Sequence, residues 1–264
     1  MPNSLKEVLT EVLSRVMAPA ASLYLDFDGT LAPIAPEPSE ARLDESVRRA
    51  LLAILGTKRI TIGVISGRPV EDLQARVDVA DIVYAGNHGL EILGPGLRFV
   101  ESTALSTMDE LQHASKKLVA LLWPIPGVRV EDKRLTAAVH YRLAADRHLP
   151  AIRAAVEQAV GPYASRLQLR SGKKSIEIMP RTSWNKGTAV LWINRRLGIP
   201  ARSAIYVGDD ATDEDAFEAL RDGVTIKVGA SDETLARYLL SGPGEVRELL
   251  EGIAQAHAPV GRRP

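Results

Sequence analysis

Hydrophobic residues recur along this chain in two rhythms, and the alternation between them predicts its architecture. Leu5, Val8, Leu9, Val12, Leu13 and Val16 fall three and four apart, on one face of an amphipathic helix. Ser22 to Phe27 is a short apolar strand that ends in acids, and Leu43, Val47, Leu51 and Ile54 mark a second helix. Arg59 to Ile65 is a β-branched run ending at Ser66-Gly67. Pro69 to Val77 suits a short helix with proline in its first turn. Asp81 to Ala85 reads as a further strand, followed by Gly86-Asn87-His88-Gly89. Strands alternating with helices predict βαβ units and a mainly parallel sheet.

The middle of the chain has a different order. Leu105 to Leu122 is a long helical stretch. Val128 to Glu131 and Thr136 to Tyr141 read as two strands around the charged turn Asp132-Lys133-Arg134. Leu149 to Val160 is a helix, and Leu167 to Arg170 and Ser175 to Met179 are two more short strands. After Pro180 the α/β rhythm returns, with helices over Trp184 to Leu197 and Thr212 to Leu220 and strands over Ser203 to Val207 and Val224 to Val228. The expected fold class is therefore α/β: a Rossmann-like parallel-sheet core over residues 1–92 and 181–264, with a small α+β cap inserted at 93–180.

Composition narrows the chemistry. The 264 residues carry 33 basic and 33 acidic side chains, a formal net charge of zero, which argues against a general nucleic-acid or anionic-membrane binder. With no cysteine, thiolate catalysis, disulfides and Cys-type zinc sites are excluded. The N-terminus lacks the apolar core of a signal peptide and no run approaches a membrane span, so a cytoplasmic location is expected.

Four segments carry candidate chemistry. In Asp26-Phe27-Asp28-Gly29-Thr30 an apolar strand delivers two carboxylates spaced two apart, where open α/β sheets place their sites. An aspartate can attack phosphorus, and a second carboxylic acid can protonate the leaving oxygen and then activate water. Ser66-Gly67-Arg68 offers a hydroxyl and backbone N–H groups at a strand-to-helix turn suited to phosphate oxygens. Lys186 opens a helix with a compact positive charge. Gly208-Asp209-Asp210-Ala211-Thr212-Asp213-Glu214 ends another strand in an acid cluster. A magnesium ion (Mg2+) takes oxygen ligands. Asp26 and Asp209 can each give a carboxylate oxygen, Asp28 a backbone carbonyl, and Asp210 and Asp213 can orient metal-bound waters.

Taken together and in this order, the four segments resemble the haloacid-dehalogenase-like phosphatases. The resemblance implies Asp26 as nucleophile, Asp28 as acid/base, Ser66 and Lys186 as stabilisers of the phosphate and nucleophile, and Asp209 as a magnesium ligand. Gly86-Asn87-His88-Gly89-Leu90-Glu91, Val139-His140-Tyr141-Arg142 and Gly172-Lys173-Lys174-Ser175-Ile176-Glu177 are similar to one branch, the trehalose-6-phosphate phosphatases. The similarity spans roughly Leu23 to Val228, and one departure is Met179, where that branch frequently carries an arginine. The substrate implied is trehalose 6-phosphate, released as trehalose and phosphate. Lys173 and Glu177 share one strand face if the strand begins by residue 173, which would aim both at one sugar. Arg142 is a further cap candidate, while Gly67, Arg68, Asn87 and His88 lie at core strand ends where they could meet the sugar from below. The rival readings are a phosphatase for sucrose phosphate or for mannosyl- or glucosyl-phosphoglycerate, and a phosphosugar sensor without catalysis. The expected partner is a small sugar phosphate, with no nucleic acid and no membrane. A monomer is expected, linked in function to a separate trehalose-6-phosphate synthase.

Overall fold

A computed structural model describes residues 4–17, 20–35, 37–172, 174–230 and 233–257. Its strands, in chain order, are β1 (Ala21–Leu25), β2 (Ile60–Ile65), β3 (Val83–Gly86), β4 (Glu91–Gly94), β5 (Leu97–Val100), β6 (Arg129–Asp132), β7 (Ala137–His140), β8 (Leu167–Gly172), β9 (Ser175–Pro180), β10 (Ala204–Gly208), β11 (Val224–Val228) and β12 (Tyr238–Leu240). The helices are α1 (Leu5–Val16), α2 (Glu45–Gly56), α3 (Val70–Val77), α4 (Ser102–Ser106), α5 (Met108–Leu122), α6 (Leu149–Val160), α7 (Lys186–Leu197), α8 (Glu214–Ala219) and α9 (Pro243–Ala256). None is long and apolar enough to cross a membrane. The chain divides into two units, Met1–Phe99 with Trp184–Pro264, and Val100–Ser183.

The first unit is built on a sheet of order β12-β11-β10-β1-β2-β3-β4-β5. The strands from β12 to β3 run parallel and β4 returns antiparallel to β3. Every residue of β1, β10 and β11 is buried. Covering both faces of a parallel sheet demands such runs of buried, mostly apolar residues. Side-chain alternation divides them: Leu23, Leu25, Ile205 and Val207 pack with α1, α2, α3 and α9, while Tyr24, Tyr206 and Val83 pack with α7 and α8. The second unit is an antiparallel sheet of order β6-β7-β9-β8. Its apolar positions Ala137, Val139, Leu167 and Ile178 join Leu111, Leu118, Ile152 and Val156 of α5 and α6 in one core. In register across the strands, Glu131, Ala138, Glu177 and Arg170 form a row on the alternate face.

The structure departs from the sequence-based expectation at several places. The long helical stretch is interrupted at Thr107, whose hydroxyl bonds back to the Thr103 carbonyl at 2.9 Å and ends α4 before α5 begins. The helix expected from Trp184 starts at Lys186, because Asn185 is extended and caps it. The helix expected from Thr212 opens as a 3-10 turn, Ala211–Asp213, before α8. The β4–β5 hairpin, the edge strand β12 and α9 were not anticipated. Strand β9 begins at Ser175, after Lys174 at φ 62°. Lys173 itself lies outside the described residues.

Candidate active site

Four adjacent parallel strands, β10, β1, β2 and β3, end at the same edge of the sheet, and each releases a candidate group there. Asp26 follows β1 directly, its N–H bonded to the Val207 carbonyl of β10 at 2.9 Å. The next turn is closed by Phe27, whose carbonyl accepts from the N–H groups of Thr30, Leu31 and Ala32. Gly29 sits at φ 91°, and any Cβ there would overlap the Asp209 carboxylate, so the turn after the two acids needs glycine for both reasons. Asp209 follows β10 and accepts a long hydrogen bond from the Thr30 hydroxyl, 3.4 Å.

Lys186 joins these elements. It is the first residue of α7, held there by a reciprocal cap in which Asn185 Oδ1 accepts from Thr188 N and the Thr188 hydroxyl accepts from Asn185 N. Its ammonium is 2% exposed and donates to Asp26 Oδ1 at 2.8 Å and to Asp213 Oδ1 at 2.7 Å. Asp213 also accepts from the Tyr206 hydroxyl at 2.7 Å and from the Asp210 N–H at 2.8 Å. Burial works against the Lys186 ammonium, but the Asp213 and Asp26 carboxylates outweigh it and hold its pKa well above the ordinary value. Burial pushes the Asp26 carboxyl up; Asp213 and Asp209 push the same way, against the pull of Lys186.

Carboxylate oxygens of Asp26, Asp209 and Asp213 lie within 4.8 Å of one another. Three buried carboxyl groups so close together offer oxygen ligands of the kind a hard divalent cation takes. Both Asp213 oxygens take N–H or O–H donors from the chain, and Oδ1 anchors the Lys186 ammonium. Asp210 accepts from Ala211 N at 2.7 Å and starts the 3-10 turn. Around it, Lys227 donates to the Asp210 carbonyl and to Glu214 Oε1, each at 3.2 Å.

Beyond β2 and β3 the chain turns back on itself. Ser66 is buried and its hydroxyl accepts from the Arg68 N–H at 3.3 Å. Arg68 engages Asp28 through two bonds, Nε and Nη2 each at 2.6 Å, and reaches Asp72 at 2.8 Å. Its guanidinium lies 5.3 Å from the Phe27 ring centre. The expectation that Arg68 meets a sugar thus has a competitor in Asp28 (a fork-on-fork pair). Gly67 packs against the His88 ring. Asn87 and His88 both adopt left-handed backbone, φ 49° and 60°, the kind of strain that a functional turn retains. The Asn87 amide donates to Glu91 at 2.8 Å, and Glu91 also accepts from Val70 N at the start of α3.

In the other unit, Glu177 accepts from Lys133 at 3.2 Å, both largely buried, and Glu131 pairs with His140 at 2.7 Å. Arg142 is exposed in the turn after β7. Lys133 was read from the sequence as a turn residue and Tyr206 as part of a strand. Within β10, Tyr206 alternates with Ile205 and Val207, which places its ring on the opposite face, toward α7 and α8.

A parallel sheet with an aspartate pair, a Ser-Gly turn and an acid loop at adjacent strand ends, and a buried lysine opening a helix beside them, defines the haloacid-dehalogenase-like phosphatase fold. Within it the chain belongs to the trehalose-phosphatase family, whose model it matches over residues 24–242. The trehalose-phosphate phosphatase of Mycobacterium avium is 38% identical over 245 residues, 88% of this chain and 62% of that protein. An uncharacterized glycosyl hydrolase of Mycobacterium tuberculosis is 36% identical over 266 residues, 96% of this chain and 20% of that protein. This chain therefore spans less than two thirds of the first relative and about a fifth of the second. The crystal structure of a trehalose-6-phosphate phosphatase related protein matches with a TM-score of 0.79 at 28% identity, over 89% of this chain and 98% of that one.

Proposed function

We propose that this protein is a magnesium-dependent phosphatase that hydrolyses trehalose 6-phosphate to trehalose and phosphate. The observation that carries the reading is the buried Asp26 carboxylate at the end of β1, fixed by Lys186 at 2.8 Å beside Asp209, in a chain of the trehalose-phosphatase family. An Asp26 oxygen attacks phosphorus in line as the bond from phosphorus to the sugar oxygen breaks, and Asp28 gives that oxygen a proton. Asp28 then takes a proton from water, whose oxygen attacks the aspartyl-phosphate and restores the Asp26 carboxylate as phosphate leaves. Asp26 and Asp209, with the Asp28 carbonyl, would hold a magnesium ion, which would supply positive charge to the transferring phosphoryl group. Lys186 and the Ser66 hydroxyl hold phosphoryl oxygens, and Asp210 would orient a water of the cation's shell. The candidates for reading the sugar hydroxyls are Arg68, Asn87 and His88 in the first unit and Arg142, Lys173 and Glu177 in the second. For Asp28 to protonate the leaving oxygen its carboxylate must turn away from Arg68, so the pair describes the protein before substrate arrives.

The test is phosphate release from trehalose 6-phosphate, glucose 6-phosphate, sucrose 6-phosphate and glucosyl-phosphoglycerate, with magnesium and with EDTA. Magnesium-dependent release from trehalose 6-phosphate above the others is expected, and Asp26→Asn should abolish it while the far-UV spectrum is unchanged. Release from another member of the panel would keep the chemistry and change the substrate. A folded, metal-loaded Asp26→Asn with near-normal turnover would remove Asp26 as nucleophile, and binding without turnover would favour a sensor.

A further inference from the structure

We propose that Tyr206 is a positioning residue for phosphoryl transfer, acting through Asp213 and Lys186 on Asp26. The inference rests on the phosphatase reading above and adds a residue to its machinery. Tyr206 lies in β10, three residues before Asp209, and is fully buried. Its ring is held edge-on by Phe217 of α8, with centroids 5.8 Å apart at 82°. A hydroxyl so deep in a sheet needs a partner, and this one donates to Asp213 Oδ1 at 2.7 Å. The same oxygen receives Lys186 Nζ at 2.7 Å, and the other takes the Asp210 N–H at 2.8 Å.

Three donors from three different elements thus fix the Asp213 carboxylate in plane and in rotation. Lys186 has three ammonium protons, of which one goes to Asp213 and one to Asp26. Their directions set where the third points, and in the proposed reaction that is toward a phosphoryl oxygen. Without the Tyr206 hydroxyl, Asp213 loses the bond that stops Oδ1 from following the lysine. The ammonium and the nucleophile it orients then drift together, and small misplacements at a reacting centre cost rate more than binding. Phenylalanine retains the ring and its contact with Phe217, so the hydroxyl can be removed with little else.

The experiment compares wild type, Tyr206→Phe and Phe217→Leu in the full chain with magnesium, on trehalose 6-phosphate and on p-nitrophenyl phosphate. For Tyr206→Phe the expectation is a fall in kcat of about tenfold on both substrates, with KM within about twofold. Phe217→Leu, which loosens the ring but keeps the hydroxyl, should lower the melting temperature and leave kcat within about twofold. In an Asp213→Asn background, Tyr206→Phe should add less than about a twofold loss, because the two act in series. A Tyr206→Phe chain that does not fold, or that turns over like wild type, overturns the proposal; so does a Phe217→Leu loss as large as that of Tyr206→Phe, or losses that multiply with Asp213→Asn. Wild type inert toward both substrates would sink the phosphatase reading and this inference with it, whereas active wild type with an unaffected Tyr206→Phe sinks this inference alone.

Discussion

Arg68 satisfies two carboxylates at once, Asp28 by a fork of two bonds and Asp72 by one, and Asp72 is shared in turn with Arg76 at 2.7 Å. Asp72 therefore orients the arginine that restrains Asp28. Burial raises the Asp72 carboxyl, but the hydrogen bonds and charges of Arg76 and Arg68 outweigh it and hold the group below its ordinary value. A carboxyl depressed in the folded state stabilises at pH values above its unfolded pKa, about 3.9, and that contribution disappears as the pH falls through the lower folded value. Asp72 is about a third exposed, 34%, so solvent screens the pair and the contribution is modest. Asp72→Asn should cost on the order of 0.5–1 kcal/mol at neutral pH by urea unfolding, and less at pH 3. A cost that is the same at both pH values would show that the amide disturbs packing and that the charge contributes little.

At the scale of elements, the position of Lys186 depends on where α7 begins, and Asn185 decides that. Its side chain satisfies the Thr188 N–H at 2.9 Å, and Thr188 returns a bond to Asn185 N at 2.7 Å. Trp184 before it donates from its indole to the Gly89 carbonyl at 2.7 Å and stacks on Phe99 at 4.5 Å, so the approach to the helix is also fixed. Asn185→Ala should lower stability by about 1 kcal/mol, as lost N-caps do, and should depress kcat because the first turn carries the lysine. Asn185→Asp, which restores an acceptor, should recover most of the stability; if it recovers none, capping is not what the residue contributes. The elements legible in the sequence were those with one clear rhythm. β1, β2 and β10 are almost wholly buried and read as mainly apolar runs, and each delivers its motif at the expected end. The β4 and β5 strands are four residues each around a Pro95-Gly96 turn, too short for alternation to declare itself. Contacts among distant residues were hidden for a different reason. Tyr206 on Asp213, Lys227 on Glu214 and Lys133 on Glu177 depend on where the fold brings side chains, and periodicity encodes only which face they are on.

For the whole molecule, the site is assembled from both ends of a discontinuous unit. Asp26 and Ser66 come from the segment before the insert, Lys186 and Asp209 from the segment after it, and β10 lies between β1 and β11 in one sheet. Neither segment can hold the acid cluster alone, so occupancy of that cluster is linked to folding of the entire first unit. The cluster holds three buried carboxyl groups close together, an arrangement that the unfolded chain in water does not suffer. A divalent cation that binds the folded state alone should therefore stabilise it by mass action, by about 2.7 kcal/mol when free magnesium is a hundredfold above its dissociation constant. The melting temperature should climb with the logarithm of magnesium concentration, and Asp209→Asn should flatten that climb even where EDTA-treated stability is unchanged or raised by relief of repulsion. Amide exchange gives the spatial check without any use of activity: added magnesium should slow exchange in β1, β10 and the turn at Gly29, and leave β6 to β9 of the second unit as they were. Protection that rises equally in both units would mean that the cation acts on the molecule at large, and a melting temperature indifferent to magnesium in wild type would remove the metal from the acid cluster.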